Sequence, residues 1–84
     1  MYVVAQHTIT DSAKFFAGAQ TGMATIPAGL TLLKFFPSAD GSKAICLWEA
    51  GQVDQVKSFV DGLLGHVSTN DFYEVEGKNA VGLP

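Results

Sequence analysis

No arginine occurs in the 84 residues, and five lysines make up the whole cationic complement. Phosphate backbones are gripped by basic faces and by the planar fork of arginine, so nucleic-acid binding is not expected. Charge of either sign is scarce. Charged residues are 15% of the chain, against roughly 25% in an average soluble domain, and eight acids leave a net charge of −3. Long apolar runs are also missing: no stretch approaches the ~20 consecutive residues of a membrane-crossing helix. The opening residues lack the basic and apolar blocks of a secretory signal. One cysteine, Cys46, leaves no intramolecular disulfide to form, which fits a reducing compartment. A cytoplasmic protein with no membrane partner is therefore expected. Apolar side chain is what abounds. At 48% hydrophobic, the chain is not disordered. It carries more apolar surface than so short a domain hides easily, since one of this size buries little more than ~60% of its unfolded surface.

Residues 1–9 read as a strand: Val3, Ala5, His7 and Ile9 form one face and Tyr2, Val4, Gln6 and Thr8 a more polar one. Thr10, Asp11 and Ser12 are N-cap candidates for a helix from Ser12 to about Met23, where Phe16, Ala19, Gln20 and Met23 recur at helical spacing. Gly18 and Gly22 weaken that helix by about 1 kcal/mol each relative to Ala, unless they admit a close neighbour. Pro27 and Gly29 end it. Leu30 to Phe36 and Lys43 to Glu49 read as a hairpin around Pro37-Ser-Ala-Asp-Gly-Ser42, with Asp40-Gly41 suited to positive φ. Val53, Val56, Phe59, Val60, Leu63 and Leu64 then follow the spacing of an amphipathic helix, with Gly65 behind it. Phe72 to Glu76 alternates as a last strand. The order is β-α-β-β-α-β, an α+β plan of ferredoxin-like type: one domain over residues 1–84, a four-stranded antiparallel sheet with both helices on one face, and residues 77–84 as a C-terminal arm.

The hairpin strands carry apolar residues on both faces. Leu30, Leu32 and Phe36 are read as opposing Leu33 and Phe35, while Ile45 and Leu47 oppose Ala44, Cys46 and Trp48. Two helices cover one face only, and an exposed apolar patch of several hundred Å² usually marks an interface. Sheet-to-sheet pairing into a homodimer is the expected solution.

The plan, the length and the bare sheet face resemble the dimeric α/β-barrel superfamily, in which two such chains pack their sheets into a shared barrel. The pieces Ala44-Ile-Cys-Leu-Trp-Glu-Ala50, Phe72-Tyr-Glu-Val75 and Asn79-Ala-Val-Gly-Leu-Pro84 are similar to short uncharacterised bacterial members. Cys46-Leu47 and Glu49-Ala50 also resemble the small nickel-binding proteins of that size. Cofactor-free polyketide cyclases of the superfamily have a histidine on strand one, aromatics on helix one and a histidine after helix two. The resemblance places these on His7, on Phe15 and Phe16, and on His66, and implies proton abstraction from a carbon beside a carbonyl. Where such enzymes carry a tyrosine on the second helix, this chain has Phe59, with no hydroxyl; Tyr73 is the alternative donor. Haem-degrading relatives imply another use, with His66 and Trp48 near the ring, although strand one has no Asn.

On residue chemistry alone, His7 and His66 are the candidate acid and base, because imidazole titrates nearest neutrality. Each also has a plain reading, His7 as a hydrogen-bonded core residue and His66 as a loop residue near a helix C-terminus. Cys46 reads as a small buried hydrophobe. Phe15, Phe16, Leu47, Phe59 and Tyr73 are the candidate ligand-binding residues, and an apolar pocket suits a small acyl or aromatic molecule. No Gly-rich phosphate loop and no CxxC, HExxH or HxH spacing occurs, so no cofactor and no metal site is expected. A nickel site from His and carboxylate groups is the second alternative.

Overall fold

The computed structural model describes residues 1–84. Its elements are β1 (Tyr2–Ile9), α1 (Ser12–Met23), β2 (Thr31–Pro37), β3 (Lys43–Glu49), α2 (Val53–Leu64) and β4 (Ser68–Val75). The strands form one sheet in the order β2-β3-β1-β4 with every neighbouring pair antiparallel. This is the ferredoxin-like order expected above.

Local chemistry sets the element ends. The Asp11 carboxylate accepts from the Lys14 amide at 3.1 Å and starts α1. The Gln55 side-chain oxygen accepts from the Gly51 and Gln52 amides, both at 3.0 Å, and starts α2. In the hairpin, Gly41 supplies the positive φ of +75°. Asp40 beside it accepts from the Ser42 amide and from the Ser42 and Ser38 hydroxyls, which holds its carboxyl at about 2.

The core lies between sheet and helices. Val3, Ala5, Ala44, Cys46 and Trp48 face Phe15 of α1 and Val56, Val60 and Leu64 of α2. Three expectations need correction or refinement. The spacing of Phe16, Ala19, Gln20 and Met23 marks the helix but not its most buried positions, which are Phe15 and Gly22, with Phe16 half-buried beside them. Glycine stands where the second helix comes close: a Cβ on Gly22 would lie 2.0 Å from Leu63 Cδ2, so a residue with no side chain belongs to the packed face. In β2 a bulge between Leu32 and Lys34 breaks strict alternation. Leu32 and Phe35 consequently both pack on the core while Phe36 is 60% exposed. Finally, β4 begins at Ser68 rather than Phe72, because Ser68, Thr69, Asn70 and Asp71 pair with β1 despite being turn formers.

The other sheet face has no helix over it. Val4, Leu47, Ile45, Phe36 and Tyr73 share it by register, with Val4 directly between Leu47 and Tyr73. The arm, residues 77–84, forms neither strand nor helix and returns to this side, where the Tyr2 hydroxyl donates to the Pro84 carbonyl at 3.3 Å.

Candidate functional site

Pairing places His7 of β1 beside Asn70 of β4 and one diagonal step from Cys46 of β3, all on the helix-covered face. His7 is only 3% exposed and both ring nitrogens are engaged. Nδ1 lies 2.6 Å from Asn70 Oδ1, and Nε2 lies 3.2 Å from Cys46 Sγ. The direction of the Asn70 amide is set from its far side. Its Nδ2 donates to Asp61 Oδ1 at 3.0 Å, and its Oδ1 accepts from the Ser68 hydroxyl at 2.8 Å. A carboxylate accepts only, so the amide nitrogen must face Asp61 and the amide oxygen must face His7. This network assigns the neutral tautomer with the proton on Nδ1. Nε2 is then a bare acceptor, and the thiol of Cys46 donates to it.

Electrostatics keep the pair uncharged. Burial lowers the His7 pKa, against the opposing pull of Asn70 and the negative field of Asp61. Burial pushes the Cys46 thiol up to about 12. Asp61 itself is lowered, chiefly by the Asn70 hydrogen bond and further by Lys57, which pairs with it at 3.0 Å. The chain of contacts therefore runs from a surface ion pair through an amide and an imidazole to a buried thiol.

Beside that thiol is a cavity of about 30 Å³ between sheet and helices. Room for one water begins near ~10–15 Å³ on this measure, so the space takes only a few atoms as it stands. Twelve of its fourteen lining residues are hydrophobic, Phe15, Met23 and Phe59 among them, and His7, Cys46 and Trp48 complete the wall that matters chemically. Trp48 is 4% exposed, and its indole Nε1, buried, has no hydrogen-bond partner. An orphaned buried donor is rare and costs about 1–3 kcal/mol. Its ring meets Phe59 edge-on at 5.9 Å, which holds the indole in place. A wider depression of about 470 Å³ lies among Gln6, Thr8, Lys43 and Asp71, on the open face and more polar.

The residues singled out from the sequence fall in three places. His7, Phe15 and Phe59 line the cavity. Phe16 stands behind, against Phe15 at 5.2 Å and Phe35 at 6.3 Å. Leu47 and Tyr73 lie on the opposite sheet face, because register aligns both with Val4 rather than with Val3 or Ala5. The Tyr73 hydroxyl accepts from Gln6 Nε2 there at 3.1 Å, so it is no substitute for a hydroxyl at Phe59. His66 is exposed in the turn between α2 and β4 and does not line the cavity. Asn70 and Asp61 were missed: within Ser68-Thr-Asn-Asp71 an asparagine looks like turn chemistry, and Asp61 like the polar side of a helix. No group of three or more His, Cys, Asp and Glu side chains converges as a metal site would require. No helix is long and apolar enough to cross a membrane.

No family model matches the chain, and no curated protein matches it either. Among solved structures it is similar to one described as "Structure of Rv0793 from Mycobacterium tuberculosis", with a TM-score of 0.54 over 94% of this chain and 98% of that one. The identity is 9%, so the likeness concerns the fold alone. With the element order and sheet order above, this chain is a small ferredoxin-like α+β protein.

Proposed function

We propose that this protein binds a small apolar molecule carrying a hydrogen-bond acceptor, held between the sheet and the two helices, and that it does so as a cytoplasmic homodimer. The observation that carries the ligand is the buried, unpartnered indole N–H of Trp48, a residue that lines the largely apolar cavity. An aliphatic molecule would leave that donor orphaned; a carbonyl compound would satisfy it, with a gain of about 1–3 kcal/mol over an empty site. The support for the dimer is the open face, where Phe36 is 60% and Tyr73 46% exposed around Val4 and Leu47. The acid–base alternative loses its second partner with His66 outside the cavity, and any proton transfer there falls to His7.

Trp48 is the chain's single tryptophan, so one indole N–H proton resonance reports on the site. Titration with butanone is expected to move that resonance downfield, and pentane is not. An indole signal unmoved by any small ketone rejects the ligand. Light scattering tests the dimer separately: twice the chain's 8.9 kDa is expected, and a clean single-chain mass rejects it.

A further inference from the structure

Building on the ligand proposed above, we infer that Cys46 is a covalent acceptor for small apolar α,β-unsaturated carbonyl compounds, with His7 carrying the proton and the Trp48 indole N–H holding the carbonyl oxygen.

Three independent features meet at one wall of the cavity. The Cys46 thiol points its hydrogen bond at Nε2 of His7, the nitrogen left bare by the assigned tautomer. Asn70, aligned by Asp61 and Ser68, keeps the ring from presenting its other nitrogen. Trp48 stands two positions from Cys46 on the same face of β3, about 6–7 Å along the strand, with a donor that nothing in the protein uses. A thiol, a base beside it and a free donor a short way off match the two ends of a conjugated carbonyl. Its β-carbon is electrophilic and its oxygen gathers charge as the carbon is attacked.

The step balances within the two molecules. The Cys46 proton passes to His7 Nε2 while a sulfur electron pair forms the S–Cβ bond. The C=C π pair shifts toward the carbonyl, giving an enolate whose oxygen accepts from the Trp48 N–H. The imidazolium then returns the proton to the α-carbon. Thiol and C=C are consumed, one thioether forms, nothing is oxidised or reduced, and there is no leaving group. That last point selects addition over acyl transfer. Twelve of the fourteen lining residues are hydrophobic, so the wall does little to stabilise a departing polar alcohol or amine. Burial also keeps the thiol protonated, so an electrophile that depends on preformed thiolate reacts poorly and the base beside the sulfur becomes necessary. The small volume restricts the substrate to a few heavy atoms, entering where α1 ends at the exposed Met23.

The test treats the full chain with methyl vinyl ketone, followed by intact mass, peptide mapping and the indole N–H resonance, with butanone as the saturated control. The expected result is one adduct, on Cys46, formed about a hundredfold more slowly in His7→Gln. Trp48→Phe keeps an aromatic ring and removes the donor, and is expected to slow addition by roughly tenfold or more. Should His7→Gln fail to fold, Trp48→Phe decides alone, and a rate within about twofold of the parent chain overturns the assignment. Cys46 left unmodified while butanone still moves the indole resonance overturns covalent capture and leaves reversible binding standing. An indole resonance indifferent to both ketones removes both.

Discussion

Strand β3 presents Ala44, Cys46 and Trp48 to one side of the sheet and Ile45 and Leu47 to the other, and the two sides have different fates. On the first side the chain's own helices close over the apolar residues and polar atoms are matched one by one, with Trp48 Nε1 the exception. On the second side the residues are as apolar, yet no helix of the chain lies over them, and Ile45, Phe36 and Tyr73 stay exposed. Apolar character alone therefore says that a face wants burial and not what will bury it. The covered face shows something further: where burial is complete, a single unmatched donor, Trp48 Nε1, stands out.

Mutations can separate the faces. On the covered side, Phe15→Ala is expected to cost about 3–5 kcal/mol in denaturant unfolding, since Phe15 is fully buried against His7 and Phe16. That is a large share of the roughly 5–10 kcal/mol available to a domain of this size, and the variant should be mostly unfolded when warm. Asn70→Leu is expected to cost about 1–3 kcal/mol, because His7 Nδ1–H loses its acceptor, while the Ser68 hydroxyl keeps the Leu64 carbonyl. A smaller loss than from a surface Asp54→Leu control would show that the relay is not held as described. On the open side, Leu47→Asp is expected to leave the chain folded by circular dichroism and to halve its mass by light scattering. An unchanged dimer mass would move the interface elsewhere.

The acid response should be assigned to the covered side as well. Burial lowers the His7 pKa in the folded chain, so the unfolded chain takes up the proton first as pH falls below its ordinary 6.5. Stability is thus complete above about 6.5 and declines below it until the folded histidine also protonates. Asp61, lowered from 3.8, adds its own loss only in stronger acid. The thermal midpoint should fall between these windows in the parent chain and stay flat there in His7→Gln. The smallest effect is expected from His66→Gln: exposed in a turn, it should change stability by less than about 0.5 kcal/mol and leave the indole resonance in place. A shift of that resonance would bring His66 back toward the site.

Most of the architecture was legible because it rests on period. Val53 to Leu64 repeats at helical spacing, residues 2–9 alternate, and Asp40-Gly41 marks its turn. The errors share a cause, namely contacts that period does not encode. Gly22 is buried because Leu63 needs the space, which no hydropathy count registers. Leu32 and Phe35 share a face because one residue bulges between their partners. Of the site, His7, Phe15 and Phe59 could be named from residue type and strand position. Asn70 and Asp61 could not, since an amide's value to an imidazole depends on a strand pairing across 63 residues of sequence. Leu47 was read on the face opposite Cys46 and Trp48, as its register shows, yet it and Tyr73 were still named for a ligand held on the helix side, which alternation alone does not decide.

The bulge at Leu33 has a consequence for how this chain keeps company. β2 is one margin of the sheet, and an open margin offers free backbone groups to any passing strand. Bending that margin, setting the exposed Lys34 beside the bend and ending the strand on Pro37, which has no amide hydrogen to give, makes it a poor template for fibre growth. The exposed Phe36 of that strand thus sits next to the proline that closes the margin to a further strand.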